Sequence, residues 1–224
     1  MPNHITNKVT FIGPQKRVEE VLEKIKNRKG EEGEYTCIDF NNILPMPEEL
    51  RGTCSPPRRI SEDEYKKEVA KFSKDPENQI FRPGITKKMY DDYMKRFGAA
   101  DWYKWACNNW GTKWNAYDQS YEGMNETNSG CVEATIIFDT AWSTPIPVIE
   151  KLSEMFPDIH IELKWADEDW GNNCGRAMFC DGTAEISMPV ACSKEAYDLV
   201  FELKPGSKEY FKLENGEYVY IEEE

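Results

Sequence analysis

The residues best suited to chemistry lie in one short run, Trp110-Gly111-Thr112-Lys113-Trp114-Asn115. Two indole rings flank a glycine, a hydroxyl and an ammonium, with a carboxamide at the end. Such rings stack on nucleobases or sugars, at about 1–3 kcal/mol per base, while Thr112, Lys113 and Asn115 offer hydrogen bonds. The same rings serve equally well to fill a core, and Gly111 is then explained by backbone geometry alone. Two further segments mix polar and aromatic residues. Asp139-Thr140-Ala141-Trp142 closes a strand ahead of a helix, a place that suits anions, although Asp139, Ser143 and Thr144 serve equally as turn and cap residues. Asp167-Glu168-Asp169-Trp170-Gly171-Asn172 joins a strand to a hairpin. Three consecutive acids suggest a divalent cation, but sequence neighbours point apart and the EF-hand spacing is absent, so a solvated loop is the plainer reading. The expectation is that the three segments converge on one pocket. Its ligand-binding candidates are Trp110, Thr112, Lys113, Trp114, Asn115, Asp139, Trp142, Glu168 and Asn172.

Catalytic templates are missing: there is no G-x-S-x-G, no GxxxxGK(S/T) and no H-E-x-x-H. His4 and His160 are the sole imidazoles, and His4 sits at a fraying start, so acid–base work would fall to carboxylates and a zinc site is disfavoured. No catalytic residue, metal or cofactor is assigned, and the balance leans against an enzyme. The seven cysteines are widely spaced without CxxC, the pattern of free thiols in a reducing cytoplasm. Cys174 has no histidine near it in sequence and does not read as a nucleophile. A net charge of −13 opposes a phosphate backbone, so direct nucleic-acid binding is disfavoured. No signal peptide and no run of 18 apolar residues is present, which implies a cytoplasmic protein without a membrane span.

The elements that would position these residues follow from periodicity. Ile5, Val9 and Phe11 alternate as a strand, and Val18, Val21, Leu22 and Ile25 form the apolar stripe of a helix. Tyr35 to Phe40 reads as the strand that completes a first β-α-β unit, after a solvated loop at 31–34. Residues 43–60 read as irregular. Ser61 and Glu64 form a capping box, and helices are expected over 86–97 and 99–107. The polar stretch 119–130 reads as turns. Val132, Ala134, Ile136 and Phe138 alternate as a strand. Ser143 or Thr144 then caps a helix with Ile149, Leu152 and Phe156 inward, and Ile159, Ile161, Leu163 and Trp165 complete a second β-α-β unit. Asp181-Gly182 and Asn215-Gly216 predict hairpins near 175–189 and 208–222. Residues 193–203 suit helix or strand, and the acidic 222–224 tail is expected to fray. Tandem β-α-β units make an α+β, ferredoxin-like sandwich. The whole chain, 1–224, is expected to form one domain, with a helical insertion at about 52–109 and a hairpin extension at about 175–224.

Several segments also resemble a known family. MPNHITNKVTFIG at the start, NNWGTKWNA at 108–116, FDTAWSTPIPVIEKLSEMFPDI at 138–159 and WADEDWGNNCG at 165–175 are similar to the YubB-like proteins of prophages and plasmids. The resemblance implies a ferredoxin-like domain and a mobile-element setting. It implies no activity and carries over no functional residue. The function expected is a non-enzymatic accessory binding protein, of a kind suited to counter-defence, whose partner is a host protein or a small polar ligand. A small nucleotide or other polar ligand, and a carboxylate-dependent hydrolase, are the alternatives. The oligomeric state stays open.

Overall fold

Strand β1 (His4–Gly13) runs through the middle of a six-stranded sheet. Alternate residues point to opposite faces of a strand. Ile5, Asn7, Val9 and Phe11 are fully enclosed on one face, while His4, Thr6, Lys8 and Thr10 lie on the other. The computed structural model describes residues 2–29, 34–72, 82–128 and 130–221. Along the chain, β1 is followed by α1 (Gln15–Ile25), β2 (Asn27–Lys29), β3 (Glu34–Thr36), α2 (Glu48–Arg51), β4 (Arg59–Ile60), α3 (Glu62–Phe72), β5 (Ile85–Thr86), α4 (Lys87–Phe97) and α5 (Trp102–Asn109). Then come β6 (Tyr117–Glu126), β7 (Val132–Ala141), α6 (Ile146–Met155), β8 (His160–Asp167), β9 (Gly175–Cys180), β10 (Thr183–Ser187), α7 (Lys194–Leu203), β11 (Phe211–Glu214) and β12 (Glu217–Tyr220).

The chain divides into two compact units, one of residues 1–44 with 111–224 and one of residues 45–110. In the first, the sheet order is β10-β9-β8-β1-β7-β6, and every neighbouring pair is antiparallel. The inner run β8-β1-β7-β6, with α1 after β1 and α6 after β7, is the ferredoxin-like arrangement of an α+β fold. Val18, Val21 and Ile25 of α1 and Val148, Ile149 and Leu152 of α6 are buried on the face that carries Val9, Phe11, Ile136, Phe138, Ile161 and Leu163. Each such side chain contributes about 1.5–3 kcal/mol by leaving water. Helix α7 covers part of the opposite face. Its Ala196, Leu199 and Val200 form a second cluster with Ala166 and Cys174, against which Tyr197, Phe211 and Tyr218 also pack.

The second unit is helical. A two-residue parallel bridge, β4 with β5, leads into α3 and α4. The Ser61–Glu64 capping box is formed: Ser61 N donates to Glu64 Oε2 at 2.9 Å, and Glu64 N donates to Ser61 Oγ at 3.3 Å. Trp105 and Trp110 are buried here and meet edge to face at 5.5 Å.

Three expectations change. Residues 35–40 do not complete the first β-α-β unit: Glu34–Thr36 pairs with Asn27–Lys29 in a separate ribbon, and Phe40 opens a 3-10 turn. The strand that completes it is β6, within the stretch expected to be turns. β6 is an edge strand, mostly exposed and broken by register shifts, so it has no apolar alternation to betray it. Ser143 and Thr144 do not cap α6, whose N-cap, Pro145, has no side-chain bond. Thr144 Oγ1 donates instead to the buried Asn7 Oδ1 at 2.7 Å, and Ser143 Oγ donates to Gly111 O. Both hairpins stand where the turns predict, with positive φ at Asp181, Gly182, Asn215 and Gly216. Residues 194–203 are helix, capped by Ser193. The expected loop at 31–34 (but for Glu34) and the tail at 222–224 lie outside the described residues.

Candidate binding site at one end of the sheet

Backbone hydrogen bonds gather the three candidate segments at one end of the sheet. Buried Thr112 donates through Oγ1 to Ala141 O at 2.8 Å, and Lys113 N donates to the same carbonyl at 3.4 Å. Gly111 sits at φ +76°, and a Cβ there would stand 2.7 Å from Pro147 Cδ, so this turn excludes a side chain twice over. Trp142 N donates to Asn3 O at 3.0 Å and Glu168 N to His4 O at 3.1 Å. Asn173 Nδ2 spans the last two segments, donating to Asp167 Oδ2 at 2.8 Å and to Trp142 O at 3.4 Å. Asp167 is wholly engaged, its other oxygen accepting from Asn3 Nδ2 and Asp169 N.

Strand register puts a set of side chains on the face opposite α1 and α6. Tyr117, Asp139, Thr6 and Ala166 form one row across β6, β7, β1 and β8, and His4 lies in the next row beside Ala141. Tyr117 OH and His4 Nδ1 share a hydrogen bond of 2.8 Å, and the two rings meet edge to face at 5.6 Å. Trp114 stands edge to face on Tyr117 at 6.1 Å. Thr6 Oγ1 donates to Asp139 Oδ1 at 2.7 Å and accepts from Lys204 Nζ at 2.8 Å. Burial, reinforced by the negative charges of Asp139, Asp118 and Glu168, pushes the Tyr117 hydroxyl up to about 12. Three carboxylates therefore act on this spot together.

Two large rings stay in water here: Trp114 is 38% exposed and Trp142 49%. Trp142 also adopts φ +74°, a conformation that costs a residue with a Cβ about 1–2 kcal/mol. Lys113 Nζ lies over the Trp114 ring, 4.7 Å from its centroid.

The other candidates are occupied elsewhere. Asn115 works for the fold: its Oδ1 accepts from Phe40 N at 2.9 Å and its Nδ2 donates to Asp39 Oδ1 at 2.7 Å. Burial alone would lift the Asp39 carboxyl, but hydrogen bonds from Asn115, Asn41 and Asn27 hold it below the ordinary value. Trp110 belongs to the second unit, where it caps α5, its N donating to Ala106 O at 2.7 Å. Asn172 shapes its loop by donating from N to Asp169 O at 3.0 Å. His4, Thr6, Tyr117 and Lys204 were not singled out from sequence. The alternation His4-x-Thr6-x-Lys8-x-Thr10 is the signal that marks a polar strand face. Among the described residues no group of three or more His, Cys, Asp or Glu is placed to hold a metal ion, and no helix is long and apolar enough to cross a membrane.

What the arrangement presents is aromatic faces and carboxylate oxygens on a hydrogen-bonded frame. No curated protein matches the chain. Among solved structures it is similar to the crystal structure of a protein api92 from Yersinia pseudotuberculosis, at 8% identity, over 84% of this chain and 99% of that one, with a TM-score of 0.41. Residues 109–204, from the end of α5 through α7, match the family model described as the ferredoxin-like domain in Api92-like protein, and it is over that span that the chain is similar to the family.

Proposed function

We propose that the protein is a non-enzymatic binding protein that engages a partner protein through the aromatic and acidic end of its sheet. The observation that carries this reading is the pair Trp114 and Trp142, 38% and 49% exposed on segments pinned by backbone hydrogen bonds. A large exposed ring in a strained backbone conformation does nothing for the core, and such outliers cluster at functional sites. The resemblance to prophage and plasmid proteins supports a host protein as the partner, in the cytoplasm, with counter-defence as the role. A nucleotide is served less well in the same place, because its phosphates would face Asp118, Asp139 and Glu168. The test is capture from host extract by the wild-type protein and by a Trp114→Ala/Trp142→Gly variant. Glycine at position 142 relieves the left-handed strain, so the variant is expected to stay within about 1–2 kcal/mol of wild type in stability. A partner held by the wild type and lost by the folded variant supports the reading. The same captured proteins with both, or a thermal shift with a nucleotide but no captured protein, overturns it.

A further inference from the structure

Deepening that reading, and resting on it, we infer that the partner's contribution to this surface is a cationic side chain, an arginine or lysine in a basic segment, seated against the Trp114 ring with Asp139 and Glu168 as counter-charges. The first ground is geometry. Asp139, Tyr117 and His4 share one sheet face, Trp114 leans on Tyr117, and Glu168 follows the strand end beside His4. A π face beside carboxylates is the arrangement that recognises ammonium and guanidinium groups. The second ground is that the chain does this itself: the Lys113 ammonium lies 4.7 Å from the Trp114 ring centroid, so the ring already takes a cation on one face. The third ground is charge. Among the described residues, the Lys113 ammonium lies over the ring and the Lys204 ammonium is held by Thr6. Against them stand Asp118, Asp139 and Glu168, the three whose negative charge acts on Tyr117. The whole chain carries −13, so a basic segment is steered in and an acidic one turned away.

The probes are a hexa-arginine peptide, a hexa-glutamate peptide and ATP, titrated calorimetrically into the wild type and three variants. Trp114→Ala is expected to weaken hexa-arginine about 3- to 30-fold. Glu168→Gln is expected to weaken it about 2- to 5-fold. Glu133→Gln, on the same sheet face but six residues along β7 and so roughly 20 Å away, is the control for general attraction to an acidic protein and should change nothing. Hexa-glutamate and ATP should not bind. Equal losses in all three variants, or no loss at Trp114, overturn the cationic assignment. If host-protein capture still depends on Trp114 and Trp142 in that case, the binding surface stands and its ligand class alone is refuted. If neither depends on them, both fall.

Discussion

At the scale of single residues, Tyr117 concentrates the physics of the site. Its ring supports Trp114, its hydroxyl holds His4, and both burial and three carboxylates keep that hydroxyl protonated, up to about 12. An unfolded tyrosine ionises near pH 10. Between about pH 10 and 12 the unfolded chain therefore gives up a proton that the folded chain keeps. The stabilisation is fully present below pH 10 and is lost as pH rises through the folded value. Tyr117→Phe should lose stability less steeply over that interval, read as urea midpoints at successive pH values. Identical slopes would mean that neither burial nor the carboxylates raise the hydroxyl above its ordinary value. None of this was legible in the sequence, because Tyr117 ends an aromatic run in which every ring suits a core equally well. Trp114 and Trp142 were legible as candidates from composition, but their exposure and the left-handed backbone at Trp142 are tertiary facts.

At the scale of elements, strands with one buried face announced themselves and the edge strand did not. β7 and β8 alternate cleanly because one side of each meets α1 and α6. β6 pairs on one side only and is largely wet, so its residues obey turn statistics. The segment between α5 and β6 is held by side-chain bonds that look like binding groups in sequence. Asn115 satisfies Phe40 N and Asp39, and Thr112 satisfies Ala141 O. Asn115→Ala would strand the Phe40 N–H, and a cost of about 1–3 kcal/mol is expected, seen as a lower urea midpoint with an unchanged m-value. Hexa-arginine binding at saturating folded protein should be unaltered. A variant of wild-type stability would show that Asn115 is not a strut of the fold.

At the scale of the whole molecule, a ferredoxin-like sheet is assembled from strands far apart in the chain. β1 and β6 are neighbours of β7 but are separated in sequence by α1, the β2–β3 ribbon and the unit of residues 45–110. The fold class was legible because the second half, β7-α6-β8, is continuous and strongly patterned. The composition of the first half was not, because a local strand, β3, offered a nearer but false partner. The sheet end where β1 and β6 begin and β7 and β8 finish is where chemistry-bearing residues from four sequence regions meet, and the central claim is that a cationic partner binds there. The most direct measurement is the set of seven tryptophan indole N–H signals in a nitrogen-15 correlation spectrum during titration with hexa-arginine. Trp114 and Trp142 should shift and saturate together, while Trp105 and Trp110 stay still. Signals that all stay still, or all drift equally with peptide charge, would contradict it.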